Sequence, residues 1–321
     1  MRQILVLGAG KSTPCVIQYL LDHAQEEDWF VTVGDLDPEL ARKRVNGHSR
    51  GNAIRFDVQD TALRRGQIGK ADVVVSMLTP AFHRLVAVDC VERGTHMVCA
   101  SYRTKELRAL ETDALRQDIL LLCEMGMDPG LDHMSAMALI RRIRDRGGQV
   151  VGFRSYGSGL PAPDLPTNPL RYVMTWNPRG VVTSGKYGAI YREDGLVKVI
   201  PYHEVFDHTW HVEVDGGGTL EAYPNRDSLS YAGLFGIGDP ETMIRGTLRY
   251  PGWSETWGPL VRLGLTNDTV EIPHLAERSF REVVEMFLPP NVGGQTVQQR
   301  TARWLQISPT GKIMENLEWL G

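Results

Sequence analysis

Three short stretches hold the residue types from which chemistry can be built. "GMDPGLDHM", Gly126 to Met134, packs Asp128, Asp132 and His133 into six residues around Pro129 and Gly130. A carboxylate or an imidazole so placed can pair with an ammonium group or relay a proton. "PNRDS" sets an amide, a guanidinium and a carboxylate side by side at Asn225, Arg226 and Asp227. The arginine fork holds both oxygens of a carboxylate at once, and Arg171, Arg179, Arg245 and Arg249 supply further forks in the same half of the chain. "VLGAGKSTP" places Gly8 and Gly10 directly after an apolar run, with Thr13 and Pro14 following.

That last spacing suits a pyrophosphate. Glycine lets backbone approach the anion, and the helix that follows turns its free N–H groups toward it. Thr13 fits an N-cap and Pro14 the first helical position. Thr13 also stands where a third glycine is usual, so the pair Gly8 and Gly10 gains its weight from its place after a first strand. Asp35 and Asp37 close the second apolar run, where an acid accepts hydrogen bonds from ribose hydroxyls and repels a 2′-phosphate. NAD is therefore the expected cofactor, with NADP the alternative that "ARKR" (Ala41 to Arg44) would favour if it faced a phosphate rather than solvent. The candidate cofactor set is Gly8, Gly10, Lys11, Ser12, Thr13, Asp35, Ser76, Thr79 and Ser101. Ser76 and Thr79 lie in "SMLTP" and Ser101 in "ASYRT", both at strand ends where ligands of open α/β sheets bind.

The elements that must position these groups change character along the chain. Up to about residue 125, apolar runs at 3–8, 30–35, 52–57, 71–77, 95–101 and 119–124 alternate with helical patterns near 14–26, 38–46, 60–66, 81–93 and 104–117. This predicts an α/β fold with a doubly wound parallel sheet, a Rossmann domain over 1–125. From 126 to 321 the segments "VVGFRSYGSGLPAP", "GVVTSGKYGAIYRED", "LVKVIPYHEVF", "HTWHVEVDGGGTLEAYP" and "TLRYPGW" are rich in β-branched and aromatic residues and punctuated by Gly and Pro. A substrate domain with a mixed or antiparallel sheet is expected there, with helices at 239–249 and 275–288. Within "GMDPGLDHM", Asp128 precedes a proline and is held extended, Asp132 is placed to cap the next helix, and His133 falls in its first turn. Asp128 is the residue left to face a ligand.

Bulk properties remove several classes. A formal charge of −4 gives no basic face for nucleic acid, and no apolar run is long enough to span a bilayer. The N-terminus runs straight into a strand, so a cytoplasmic location is expected. Cys15, Cys90, Cys99 and Cys123 form no CxxC pair and read as reduced, buried small hydrophobes. His203, His208 and His211 match no usual metal-ligand spacing, and no metal is expected.

"GMDPGLDHM", "SYGSGLPAPDLPTNPLRYVMTWNPRGV", "EAYPNRDSLSY" and "IRGTLRYPGW" together resemble the signature segments of the glutamate-forming saccharopine dehydrogenases, also called saccharopine reductases, along nearly the whole chain. The resemblance implies a Rossmann domain joined to an α/β substrate domain. It also implies reversible NAD(P)-dependent oxidation of saccharopine to L-glutamate and 2-aminoadipate 6-semialdehyde in lysine metabolism. By that resemblance Ser101, Tyr102 and Asp128 line the junction of cofactor and substrate. It makes Asp128 the candidate for pairing with a substrate ammonium or relaying a proton, with Tyr102 as its hydrogen-bond partner. Arg226 holds a substrate carboxylate with Asn225 and Asp227, and Arg179 is a further candidate for that duty. Saccharopine itself, with three carboxylates and two amine centres, suits the arginine set. A homodimer is one assembly compatible with such an enzyme.

Two departures from the family pattern stand out. Fungal members have a cysteine and a glycine where Gly157 and Ser158 stand, so no role of that thiol carries over. Members also continue beyond the point reached by "IMENLEWLG", and the chain is expected to be either a fragment or a shortened version. Two other readings remain at this stage: a carboxyspermidine-type dehydrogenase, whose substrate has fewer carboxylates for the arginines to hold, and a non-catalytic dinucleotide-binding protein.

Overall fold

In the computed structural model, residues 1–165, 168–174 and 178–320 are described; Pro166, Thr167, Thr175, Trp176 and Asn177 of the long resembling segment lie outside the described residues. The chain divides into two units, Met1–Ala136 and Met137–Gly321, a little beyond the division at 125/126 that the change of sequence pattern predicts.

In the first unit the strand β1 (Arg2–Leu7) sets the pattern. Successive side chains of a strand point to opposite faces, and every one from Ile4 to Leu7 is apolar and buried. Ile4 and Val6 pack with Ile17 and Leu21 of α1 (Pro14–Asp22), with Val31 and Val33 of β2 (Trp29–Asp35), and with Val45 of α2 (Pro38–Val45). Leu5 and Leu7 face the other way. There they meet Ile68 of α3 (Thr61–Ile68), Val74 of β4 (Val73–Ser76), Val86 and Ala87 of α4 (Pro80–Arg93), and Met97 of β5 (His96–Cys99). With β3 (Gly51–Arg55) and β6 (Leu121–Leu122) the sheet is parallel throughout, in the order β3-β2-β1-β4-β5-β6. The order reverses between β1 and β4, the switch point at which such sheets bind ligands.

Two expectations here are corrected. The sixth strand, expected over 119–124, shrinks to Leu121–Leu122, because Glu124 adopts a left-handed φ of 63° and turns the chain. The helix expected at 104–117 is two pieces, α5 (Lys105–Arg108) and α6 (Glu111–Arg116).

The second unit begins within α7 (Leu131–Asp145), and its sheet is organised by β12 (Thr242–Arg249). This strand pairs in parallel with β7 (Gly152–Gly157), and antiparallel with β8 (Ala189–Glu193) and with β11 (Gly218–Pro224). Hairpin partners β9 (Leu196–Ile200) and β10 (Trp210–Val214) complete a mixed sheet among the described residues. The helix expected at 239–249 is therefore a strand. Arg245 and Arg249 are spaced as on one helix face, but Thr242 to Gly246 and Leu248 and Arg249 are buried, as in a strand covered on both faces.

Helices the sequence did not announce are α8 (Pro178–Thr183), α9 (Ser230–Leu234) and α10 (Trp253–Leu263). α10 carries Gly258 and Pro259 internally, which disguises it. It is held by aromatic packing: Trp253 stacks on Trp257 at 4.8 Å and on Tyr223 of β11 at 5.8 Å between ring centroids. α11 (Phe280–Phe287), α12 (Val297–Leu305) and α13 (Lys312–Leu320) follow, the first falling in the region expected at 275–288.

One buried ion pair fastens α3 to α4 in the first unit. Arg64 Nε donates to Asp89 Oδ2 at 2.6 Å and Arg64 Nη1 to Val58 O at 2.5 Å, with both side chains under a tenth exposed. Removing the acid strands a desolvated guanidinium, so Asp89→Ala should lower unfolding stability by about 3–5 kcal/mol in a denaturant titration.

Candidate active site

The carboxyl ends of β1, β2, β4, β5 and β6 bring the predicted groups of the first unit onto one edge. After β1 the chain turns at Gly8, whose φ is 103° and where an added Cβ would sit 3.0 Å from Met77 O, so glycine is required there. Gly10 differs: nothing lies within 4 Å of where its Cβ would be. Internal packing does not explain the second glycine, and the open space beside it fits the approach of a phosphate. Lys11 and Ser12 are exposed beyond it. Pro14 takes the first helical position of α1 as expected, but Thr13 does not cap with its side chain. Its hydroxyl is turned inward and donates to Gly10 O at 2.9 Å.

Asp35, expected to receive ribose hydroxyls, is occupied by the protein. Its Oδ2 accepts from Ala9 N at 2.7 Å and its Oδ1 from Asp37 N at 2.9 Å. Asp37 in turn caps α2 by accepting from Glu39 N and Leu40 N. Arg44, at the far end of "ARKR", is not simply a solvated helix residue. Its Nε donates to Ala9 O at 3.0 Å and its Nη2 to Gly10 O at 3.3 Å, which lays the guanidinium along the glycine turn.

At the ends of β4 and β5, Ser76 and Ser101 are joined by a residue that no sequence motif singles out. His83, in the first turns of α4, places Nδ1 2.9 Å from Ser76 Oγ and Nε2 2.8 Å from Ser101 Oγ. It is 2% exposed, and burial lowers its pKa from 6.5 to about 4. An N-terminal helical position disfavours the imidazolium further. Thr79 is exposed and precedes α4 without a side-chain cap bond.

Beyond β6, residues 124–131 close into a tight loop. Gly126 N donates to Pro129 O at 2.9 Å, Leu131 N to Gly126 O at 3.0 Å, and Glu124 N to Ser101 O at 2.9 Å. Gly130, at φ 151°, leaves no room for a side chain, since its Cβ would fall 2.1 Å from Gly126 O. Asp128 stands exposed on this loop, joined to Pro129 by a cis peptide bond, and accepts from Tyr102 Oη at 2.7 Å. Asp132 was expected to cap α7 from outside. It lies inside the first turn and reaches back to accept from Gly130 N at 2.8 Å. His133 lies 3.6 Å from Glu124 Oε2 and 3.4 Å from Asp132 Oδ2, while Glu124 Oε1 accepts from Arg103 N. Of the two aspartates, Asp132 holds the turn and Asp128 is presented outward.

The cysteines are less uniform than expected. Cys15 is exposed, and burial beside Asp89 pushes Cys90 up to about 12. A hydrogen bond from Cys123 brings Cys99 down to about 7 and pushes Cys123 itself up.

The second unit holds the arginines. Arg226, with φ 53°, is exposed and stacks over Tyr187 at 4.5 Å; Asn225 pairs by backbone with Arg245. Asp227 spends Oδ1 on Leu229 N and Ser230 N, a turn-forming duty. Arg179 is mostly exposed and paired with Asp268 at 2.7 Å, which Lys186 also holds. Arg171 is exposed over Tyr250, whereas Arg245 and Arg249 are buried against aromatic rings. Ser158 donates to Leu248 O and accepts from Arg249. Among the described residues there is no cluster of acids, histidines and cysteines able to hold a metal, and no helix long and apolar enough to cross a membrane.

A histidine whose folded pKa lies below its unfolded value binds fewer protons when folded. Its contribution to stability is therefore lost as pH falls from 6.5 toward about 4. His83→Gln should flatten that part of the acid limb of a melting-temperature profile relative to the parent.

Residues 4–122 match the family model described as the saccharopine dehydrogenase NADP binding domain, and residues 126–318 that of the saccharopine dehydrogenase C-terminal domain. The chain is 31% identical over 328 residues to saccharopine dehydrogenase (NADP(+), L-glutamate-forming) of Schizosaccharomyces pombe, covering 100% of itself and 72% of that protein. It is 35% identical over 281 residues to the alpha-aminoadipic semialdehyde synthase of Arabidopsis thaliana, covering 81% of itself but only 26% of that protein. The chain thus spans about a quarter to a third of the synthases it matches. Among solved structures, apo histidine-tagged saccharopine dehydrogenase (L-Glu forming) from Saccharomyces cerevisiae superposes with a TM-score of 0.83 at 29% identity, over 100% of this chain and 72% of that one.

Proposed function

The chain belongs to the saccharopine dehydrogenase family, and on that premise we propose that it catalyses the reversible NADP-dependent oxidation of saccharopine to L-glutamate and 2-aminoadipate 6-semialdehyde. The observation that carries the reading is the Tyr102–Asp128 pair on the same sheet edge as an open glycine turn. The turn after β1, the N-terminus of α1 and Arg44 fit a dinucleotide, whose nicotinamide when bound accepts a hydride from the carbon beside the substrate's secondary amine.

The residues of this chain supply the proton handling and the binding. Asp128 takes the ammonium proton that must leave before the amine can be oxidised, and it serves the water that later hydrolyses the imine. The Tyr102 hydroxyl, donating to Oδ1, fixes the direction of that carboxylate. Arg226, with Asn225, is the candidate for a substrate carboxylate. Asp227 supports that loop through its turn, and Arg179 is the weaker candidate because Asp268 already holds it. Asp128→Ala should remove turnover of saccharopine, followed at the nicotinamide absorbance, while NADPH affinity measured by fluorescence stays within a few-fold of the parent; unchanged turnover removes the role.

The cofactor preference is revised from NAD to NADP. An acid discriminates against a 2′-phosphate only when its oxygens face the ribose, and both oxygens of Asp35 already accept backbone N–H groups. Arg44 brings a guanidinium to that turn, and its two bonds to carbonyl oxygens leave the remaining donors for a phosphate. A charged hydrogen bond contributes about 1.5–3 kcal/mol, so Arg44→Ala should raise KM for NADP by roughly 10- to 100-fold and leave KM for NAD nearly unchanged.

A further inference from the structure

Ser76, His83 and Ser101 form a chain of hydrogen bonds that crosses from β4 to β5 through the first turns of α4, and its direction can be worked out. Ser76 is fully buried, and its hydroxyl has no other hydrogen-bond partner among the described residues. A buried hydroxyl hydrogen must be given to an acceptor, and the one within reach is His83 Nδ1. A neutral imidazole that accepts at Nδ1 carries its hydrogen on Nε2, so His83 donates to Ser101 Oγ. If Ser101 accepts from the ring, its own hydrogen is left for another acceptor at the carboxyl edge of the sheet.

We propose that His83 is a positioning residue that locks Ser101 as a hydrogen-bond donor to the bound ligand. The group recognised is an acceptor, a carboxamide or carboxylate oxygen, rather than an ammonium. This rests on the reading above that Ser101 faces the ligand. The two sources of such an oxygen are the dinucleotide's carboxamide and a carboxylate of the substrate. The opposite tautomer would leave Ser76 with a buried, unsatisfied hydrogen and would draw the Ser101 hydrogen to Nε2, leaving Ser101 only an acceptor toward the ligand.

The test combines a double-mutant cycle with a spectroscopic readout on the full chain. His83→Leu and Ser101→Ala should each lower kcat/KM for saccharopine by on the order of 100-fold, as for loss of one preorganised donor. The double variant should be no worse than Ser101→Ala alone, because His83 acts through that serine. His83→Gln, which restores a donor near the Nε2 position, should recover most of the loss, and it serves if the leucine variant does not fold. A rise confined to KM for NADP assigns the carboxamide as acceptor; one confined to KM for saccharopine assigns a carboxylate. Additive losses in the cycle, or full activity of His83→Leu, would overturn the proposal. Nitrogen-15 NMR of the histidine ring decides the direction without any turnover: Nε2–H with a bare Nδ1 is expected, and Nδ1–H would sink it. If the parent chain turns over no saccharopine, the functional reading fails while the ring spectrum still reports the His83 tautomer.

Discussion

A parallel sheet buried on both faces has one edge at which all its strands stop, and the candidate site of the first unit depends on that constraint. The alternation of Ile4 and Val6 against Leu5 and Leu7 fixes which face each helix covers. A shift of β1 by one residue would exchange the two sets between helix layers built for different partners. With the register so pinned, Gly8, Asp35, Ser76 and the Ala100–Ser101 turn arrive at one edge without any attraction among themselves. The site is a by-product of how the core is filled.

What the strand ends then do is govern one another by hydrogen bonds across strands. Asp35, at the end of β2, holds the backbone of the β1 turn through Ala9 N, and Arg44 of α2 holds the same turn from its carbonyl side. His83 does the equivalent between β4 and β5, and Glu124 ties the chain after β6 to Ser101 and Arg103. Each cross-strand tie fixes a turn whose own residues are short and mobile by nature. Preorganisation of this kind is what a binding edge needs, since a ligand then meets donors already aimed.

The sequence made the first unit's layers readable because its strands are continuous apolar runs closed by glycine and proline signals. The glycine turn, Pro14 and the parallel, doubly wound sheet followed from those runs, and the Tyr102–Asp128 pair was carried by the family resemblance. His83 was hidden for a physical reason: it lies among Phe82, Val86 and Ala87 in a helix patterned as core, and a lone histidine there is ordinarily a packed one. Its meaning comes from two serines 7 and 18 residues away, which no local spacing reveals. Arg44 was hidden by its neighbours, since "ARKR" is indistinguishable from a solvated face until α2 is placed against the β1 turn. The strand β12 was misread as a helix because burial on both faces erases the alternation that marks a half-buried strand.

The two aspartates of "GMDPGLDHM" show how one loop gives two like residues different surroundings. Asp132 and Asp128 are chemically identical, and spacing alone cannot rank them. The loop separates them through its backbone: the N–H of Gly130, at φ 151°, is accepted by Asp132 at the start of α7. His133 then lies between Asp132 and Glu124, near both carboxylates. Asp128, earlier in the chain and on the exposed side of the same loop, accepts a hydrogen bond from the Tyr102 hydroxyl. An exposed carboxylate stays within reach of solvent and of a bound group, whereas one engaged in the turn does not, and the proposed proton-handling role falls on Asp128 for that reason.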